Sequence, residues 1–331
     1  MKCKRLRKYL ATSVLSLMVL SLAGCGGSKT TQGEGPKETN GSDEIEVSVV
    51  LKAINSDYWK IVKAGADAAA KELGVKVNVL GPNAETDIAG QTSLMEDQIV
   101  KKVDALVVAP SQPSAAIAIF DKADKAEIPV LLIDTNAEWD KKKSFIGTGN
   151  FAGGELAGKY IAEKLKAGDE VAIIRGALGD NTHDERVNGA KKALEEKGIK
   201  VLTPQPADSD RNKGMSVMEN ILQTNPNVKA VYASNDEMIL GAVRALQQAG
   251  KTDVVTVGFD GSPDALTAIQ KGELSASVAQ SAYNIGKYGV EAAVKFVKGE
   301  KIESVIDTGT EIIDKDNAKA KEDEINKILG K

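Results

Sequence analysis

From residue 45 onward, short runs of apolar, largely β-branched residues alternate with longer stretches whose apolar positions recur every three or four residues. The short runs predict strands at 46–52 (EVSVVLK), 75–80 (VKVNVL), 105–110 (ALVVAP), 129–134 (PVLLID) and 144–149 (SFIGTG). Five more follow at 170–176 (EVAIIRG), 199–204 (IKVLTP), 228–234 (VKAVYAS), 254–260 (VVTVGFD) and 274–280 (LSASVAQ). Between them, sets such as Tyr58, Ile61, Val62, Gly65, Ala69 and Leu73, or Ile285, Tyr288, Ala292, Phe296 and Val297, predict amphipathic helices. Strands that are apolar throughout belong to parallel sheets covered on both faces. Ten of them exceed one comfortable open sheet, so the predicted fold class is α/β, with two doubly wound parallel-sheet lobes. At the end of the chain, TEIIDKDNAKAKEDEINKILGK predicts a return strand and a charged helix with a solvated face.

The pattern breaks down before residue 45. Lys2, Lys4, Arg5, Arg7 and Lys8 precede an apolar run from Leu10 to Leu22, which is too short to span a bilayer and has the form of a secretory segment. The run ends in Leu22-Ala23-Gly24-Cys25, which resembles the lipobox of bacterial lipoproteins. That resemblance implies cleavage before Cys25 and acylation of its sulfur, so that lipid, not a helix, anchors the chain to the membrane on the extracytoplasmic side. A signal peptide at 1–24 would then be followed by a flexible linker at 25–44, where GGSKTTQGEGPKETNGSDE has no apolar residue to bury. Cys3 leaves with the signal, so no disulfide is available, and the exported chain must be held by its core; enough residues remain for two ordinary domains. Losing five cations takes the net charge from −4 to −9, which argues against nucleic acid as a partner.

In doubly wound sheets, ligands sit at the carboxyl ends of the strands. There the chain places Asn55, Ser56, Tyr58 and Trp59 after the first strand, then Asp134, Thr135 and Asn136, and Thr148 with Asn150. The second half adds Arg175 with Asp184 and Arg186 downstream, Asp208 and Asp210, Asn235 and Asp236, Asp260, and Gln280. Asp, Asn, Gln and Arg each present two coplanar donors or acceptors, which suits vicinal hydroxyls, and hydrogen bonds to charged groups contribute about 1.5–3 kcal/mol each. Only 4% of the chain is aromatic, yet Tyr58 and Trp59 stand side by side at a strand-to-helix turn. They would offer a platform for the C–H face of a sugar ring. Each residue also has a structural reading: Asp and Asn after strands cap helices, as expected of Asp236 and Asp264, and the two rings also fit a packed helix start.

The segments LKAINSDYW, IPVLLIDTN, FIGTGNFAGGELAGKYI, DERVNGAKKAL, PADSDRNKGMSVMENIL, VYASNDEMILGAVRAL, VVTVGFDGSPDALTAIQKGELSASVAQ and IGKYGVEAAVKFVKGE resemble, in order, the ribose-type sugar-binding proteins of bacterial ABC importers. The resemblance runs from 45 to about 313 and implies a Venus-flytrap of two lobes joined by a three-stranded hinge near Thr148, Gln280 and Thr308. One lobe would be 45–148 plus 281–308, the other 149–280 plus 309–331. By the same resemblance, the stacking pair falls on Tyr58 and Trp59, and the sugar-binding polar groups on Asp134, Arg186, Asn235, Asp260 and the hinge residue Gln280. Ribose binders carry an Arg where this chain has Thr135, a Pro where it has Asp57, and an aromatic ring where it has Ser209; Trp139 is the candidate replacement for that ring. The implied role is a monomeric receptor for a pentose, hexose or similar polyol, working with a membrane permease.

Other signals are weaker. Gly153, Gly158 and Lys159 stand at phosphate-loop spacing, but Tyr160 occupies the Ser/Thr position and no glycine-rich turn precedes them, so the segment predicts a helix of small residues packed on its sheet. His183 has no second His or Cys to share a metal and is expected to be a polar loop residue. No nucleophile and base pair is identifiable, and no cofactor is expected. Two further readings share the same lobes: a ligand-loaded protein read by a chemoreceptor or sensor kinase, and the effector half of a LacI-like repressor. The latter needs a helix-turn-helix where this chain has a signal and lipobox.

Overall fold

The structure, a computed structural model, describes residues 44–330. The predicted signal peptide, Cys25 and the linker as far as residue 43 lie outside the described residues. The first half alternates as far as β4, which β5 follows directly: β1 (Glu46–Val50), α1 (Asp57–Leu73), β2 (Lys76–Leu80), α2 (Ile88–Lys101), β3 (Ala105–Val108), α3 (Pro113–Lys125), β4 (Val130–Asp134) and β5 (Phe145–Gly147). Next come α4 (Asn150–Ala162), β6 (Glu170–Arg175), α5 (Asn181–Glu195), β7 (Lys200–Val201), β8 (Gln205–Pro206) and α6 (Arg211–Thr224). The chain continues through β9 (Ala230–Ala233), α7 (Asp236–Gln248), β10 (Val255–Asp260), α8 (Pro263–Lys271) and β11 (Ala276–Gln280). It closes with α9 (Ala282–Val297), β12 (Val305–Asp307), β13 (Thr310–Ile313) and α10 (Ala318–Leu329).

Two sheets result, as the run of apolar strands predicts. The first has the order β12-β5-β4-β3-β1-β2 and the second β13-β11-β10-β9-β6-β7, with β8 also on β6. Every pairing is parallel except β11 with β13. Both faces are covered. In the first sheet, Val107, Leu131 and Ile133 join the α1 and α9 side, while Val108, Leu132 and Phe120 join the α2 and α3 side. In the second, Ile173, Tyr232, Val257 and Phe259 pack beneath α4 and α5, and Val231 and Ala233 beneath α6 and α7. This is why the strands read as unbroken apolar runs: β3 and β4 are buried at every position.

The chain passes between the sheets three times, after β5, after β11 and after β12. The passages lie together. Gly147 O accepts from both the N–H of Thr308 (2.8 Å) and its hydroxyl (3.0 Å), and Thr148 Oγ1 donates to Gln280 Oε1 at 2.7 Å.

Three local expectations change. The run 199–204 shortens to β7, because Pro204 withholds a ladder donor, and a second short strand, β8, forms just beyond it. β12 is an unheralded three-residue strand with exposed ends, too short to carry a pattern. The terminal helix α10 has the charged face expected, yet also buries Ala318 and Ile325 against α8.

The glycine-rich helix that mimics a phosphate loop is α4, and its small residues serve a helix as well as the sheet. A Cβ on Gly154 would stand 2.1 Å from Arg186 O, and one on Gly189 2.1 Å from Phe151 O, so α4 and α5 touch backbone to backbone. Gly154→Val should therefore push α5 away from α4, costing about 3 kcal/mol net of any gain in helix propensity. Urea denaturation will register this as a lower midpoint at unchanged slope.

Candidate ligand-binding cleft

The strand ends of the two sheets face one another across a cleft, and the residues there are aimed by local backbone geometry. Asp134 ends β4 with φ 61° and Asp260 ends β10 with φ 120°, both on the positive side that L-residues avoid. β4 and β10 occupy the same place in their sheets, third from the edge that carries β12 or β13. Helix N-termini supply most of the rest. Ser56 caps α1 by accepting from the Trp59 N–H, Asp180 caps α5 through the Thr182 N–H (2.9 Å), and Asn235 caps α7 through the Met238 N–H (3.0 Å). Asn235 uses its oxygen for the cap, which leaves its amide N–H groups to the cleft.

Two cavities share this space. The outer one, about 160 Å³, is lined by Asn55, Ser56, Tyr58, Glu85, Ser209, Asn235 and Asp260 among others. The inner recess, about 20 Å³, is bounded by Tyr58, Trp59, Asp134, Arg186, Asn235, Asp260 and Gln280, together with Lys52, Glu85, Thr182 and His183. Residues from both sheets therefore meet at one place.

The rings are not a flat double platform. Tyr58 and Trp59 meet edge to face, centroids 4.9 Å apart at 78°, and each spends its polar atom on a carboxylate. Tyr58 OH donates to Asp134 Oδ1 (2.6 Å) and Trp59 Nε1 to Glu85 Oε1 (2.9 Å). Asp134 Oδ2 accepts from Thr135 Oγ1 at 2.8 Å and faces Lys52 Nζ at 3.3 Å. Thr135, far from being a bare substitute for a guanidinium, reaches across the cleft to Thr182 Oγ1 at 2.7 Å.

On the opposite side, Arg186 lies over the Phe259 ring at 3.9 Å. It donates Nε to Asn150 Oδ1 (2.9 Å), one N–H to Ser234 O (2.9 Å) and stands 3.5 Å from Asp260 Oδ1. Gln280 Nε2 donates to the same Asp260 oxygen at 2.7 Å. Burial drives the Asp260 carboxyl well above its ordinary range, and Arg186 only partly offsets that. Asp236 does not cap α7 as expected. It is the first helical residue, fully buried, and accepts from Ser262 N–H and Ser277 Oγ at 2.7 Å each, while burial pushes it to about 7. Asp264 likewise lies in the first turn of α8, whose cap is Ser262, and pairs with Arg211.

Other expectations move. Trp139 does not replace the missing ring: it packs on Phe120 in the core of the first lobe (centroids 5.4 Å apart) and donates Nε1 to Asp121, because the loop after Asp134 folds back over α3. Thr148 is buried in the hinge, where it fixes Gln280. Arg175 and Asp184 pair with each other outside both cavities. Ser209, with φ 57°, stands at the rim and shares a hydrogen bond with His183 Nε2 at 3.2 Å.

Sequence reasoning missed Lys52, Glu85, Asp180, Thr182 and His183. Lys52 reads as the polar end of an apolar strand, and Asp180 as an ordinary turn residue. In the fold they meet from opposite lobes, Lys52 Nζ on Asp180 Oδ2 at 2.6 Å, both buried. Burial opposes both charges more than any single neighbour favours them, but the neighbours win together: Asp180, Asp134 and Glu85 hold the ammonium above its usual pKa, and Lys52, His183 and the Thr182 N–H hold the Asp180 carboxylate below. His183 is a helical, buried residue, not a loop one. Its ring fits because residue 176 is glycine, where a Cβ would come 2.2 Å from it, and its Nδ1 meets Ser234 Oγ at 2.8 Å. Glu85, Asp180 and His183 offer ligand atoms within 4.8 Å of one another, but the Lys52 ammonium already sits on Asp180, so the charge a metal would bring is supplied by the chain.

Burial lowers the His183 pKa to about 3, with Arg186 and Lys52 adding to that and Asp180 opposing it. A depressed folded value means that the unfolded chain takes up this proton first as pH falls. The His183 contribution is therefore whole above about 6.5 and shrinks below it, by about 2 kcal/mol between pH 7 and pH 5. Asp236, raised to about 7, has the opposite sign, its contribution being lost as pH rises through 7. Hence the comparison to make is differential: the stability gap between wild type and His183→Gln should move in the variant's favour by about 2 kcal/mol from pH 7 to pH 5, measured by urea denaturation.

Known proteins share this architecture. Residues 47–301 match the family model described as a periplasmic binding protein domain. The ribose import binding protein RbsB of Bacillus subtilis is 37% identical over 299 residues, covering 90% of this chain and 96% of the relative. An ABC transporter solute-binding protein from Actinobacillus succinogenes with bound D-allose superposes with a TM-score of 0.78 at 31% identity, covering 84% of this chain and 100% of the other. A Bacillus halodurans solute-binding protein with bound myo-inositol gives 0.79 at 30% identity, over 86% and 100%. With two parallel sheets, three passages between them and a polar cleft where their strand ends meet, this chain belongs to the periplasmic binding protein family.

Proposed function

We propose that this protein is an extracytoplasmic solute-binding protein that captures a monosaccharide or similar small polyol between its lobes and delivers it to the permease of an ABC importer. The observation that carries this reading is the meeting of Tyr58, Trp59 and Asp134 from one sheet with Arg186, Asn235, Asp260 and Gln280 at one recess. Such a set answers a polyol in kind: carboxylates accept from hydroxyls, guanidinium and amide donate to them, and ring edges meet C–H groups.

In this reading the lobes divide as 45–148 with 281–308 and 149–280 with 309–331, and rotate about the three passages. Closure follows ligand because only the shut state satisfies contacts from both sides. The protein works as a monomer, tethered through lipid on Cys25, and its task is capture without chemistry. Asn55, Ser56 and Ser209 serve at the outer rim.

The experiment is a tryptophan fluorescence titration of the chain from residue 26 onward with a panel of pentoses, hexoses and inositols. Saturable change is expected with at least one of them, and Trp59→Phe should abolish the signal, since Trp139 is walled into the core. Asp260→Ala or Arg186→Ala should each weaken binding about 100-fold, the worth of one or two charge-assisted hydrogen bonds, while cooperative unfolding persists. Unchanged affinity in both variants would remove the site assignment.

A further inference from the structure

The cleft holds more negative charge than positive. Four carboxylates, Glu85, Asp134, Asp180 and Asp260, stand at the inner recess or on the side chains that bound it, against the two cations Lys52 and Arg186. His183, lowered to about 3, adds no charge at pH 7. Two negative charges are therefore left without a counterpart there. The outer cavity does not correct this: Asp208 is matched by Lys213 and Glu237 by Arg211, while Asp236 accepts from Ser262 and Ser277. The excess falls on Glu85 and Asp260, which come from the two sheets and line both cavities. Among the described residues Glu85 pairs with no cation, giving Oε1 to the Trp59 indole (2.9 Å), and Asp260 has only Arg186, at 3.5 Å. Burial accordingly pushes both carboxyls up, and Lys52 and Arg186 offset this only in part.

We propose that Glu85 and Asp260 select a positively charged ligand, an aminated polyol whose ammonium enters the inner recess while its hydroxylated body lies in the outer cavity. This rests on the polyol-binding reading above and names its ligand class. The recess, about 20 Å³, admits about one water-sized group, which an ammonium is and a sugar ring is not. An ammonium donates three hydrogen bonds and accepts none, and the recess has acceptors to spare. Asp260 Oδ1 takes both Gln280 and Arg186, and among the described residues no hydrogen bond reaches its Oδ2. The resident cations are turned elsewhere, Lys52 to Asp180 and Asp134, and Arg186 to Asn150 and the Ser234 carbonyl. Where the two cavities meet, Asn235 is 7% exposed and keeps its amide N–H groups for the oxygens of the ligand body. A neutral sugar would leave two buried charges unmatched, or make the carboxyls take up protons and lose acceptors.

The test is isothermal titration at pH 7 with matched amines and parents: D-glucosamine with D-glucose, D-galactosamine with D-galactose, and D-mannosamine with D-mannose. The N-acetyl derivatives separate charge from bulk, since they keep the nitrogen but not the ammonium. At least one amine is expected to bind about tenfold or more tightly than both its parent and its N-acetyl form. Glu85→Gln keeps an acceptor for the Trp59 indole while removing the charge, and should cut that ratio below about threefold. If this variant does not unfold cooperatively, Asp260→Asn carries the same expectation. Smaller ratios for every set in the wild type, or a neutralised variant that keeps threefold or more, would overturn the inference, and binding of any parent sugar would leave the polyol reading standing. A wild type that binds no amine, sugar or inositol at all would instead sink the polyol reading itself.

Discussion

Asp134 carries a buried carboxylate to the end of β4 and Asp260 a largely buried one to the end of β10, and much of the cleft is an answer to what it costs to keep them there. An ionised group taken out of water must be paired or must give up its charge. The two sides answer differently. Asp134 gathers a phenol, a threonine hydroxyl and an ammonium, whereas Asp260 has a glutamine amide and an arginine at 3.5 Å and is driven upward by burial. One carboxylate is therefore settled by the protein, while the other has most to gain from hydroxyl donors brought by a ligand.

The same constraint explains why the lobes meet as they do. Lys52 follows β1 of the first sheet and its nearest carboxylate, Asp180, lies between β6 and α5 of the second, so the ammonium is compensated from both sides of the cleft. A buried ion pair is weak evidence for stability, because desolvation offsets much of its attraction, but losing one partner is costly. In the proposed opening both charges would return to water, which would limit that cost. In that reading the pair adds directionality to closure more than strength, while hydrogen bonds of 2.7–3.0 Å join Thr148 to Gln280, Gln280 to Asp260 and Thr308 to Gly147 at the passages between the sheets.

The fold was legible because burial on both faces writes itself into a strand as an unbroken apolar run, which β3 and β4 illustrate. Strand ends then located Asp134, Asn235, Asp260 and Gln280 without any knowledge of pairing. What escaped was whatever depends on the meeting of distant segments. Lys52 and Asp180 are 128 residues apart, and nothing local distinguishes either from a solvated charge or an ordinary cap. His183 resembled a loop residue because no metal partner accompanied it, when its real partners are two serines and a glycine that makes room. Trp139 erred in the other direction: a ring five residues beyond Asp134 seemed placed for the cleft, but the loop turns its side chain onto Phe120. β12 was invisible because three residues carry no period.

The account stands or falls on a ligand gripped from both sheets at once. A crystal structure of the protein grown with whichever pentose or polyol binds it most tightly is the direct measurement. Ligand oxygens within hydrogen-bond distance of Asp260 or Asn235 on one side and of Asp134, Lys52 or Tyr58 on the other are the expected result. Ligand density that touches one lobe only, or lies away from this recess, would contradict it.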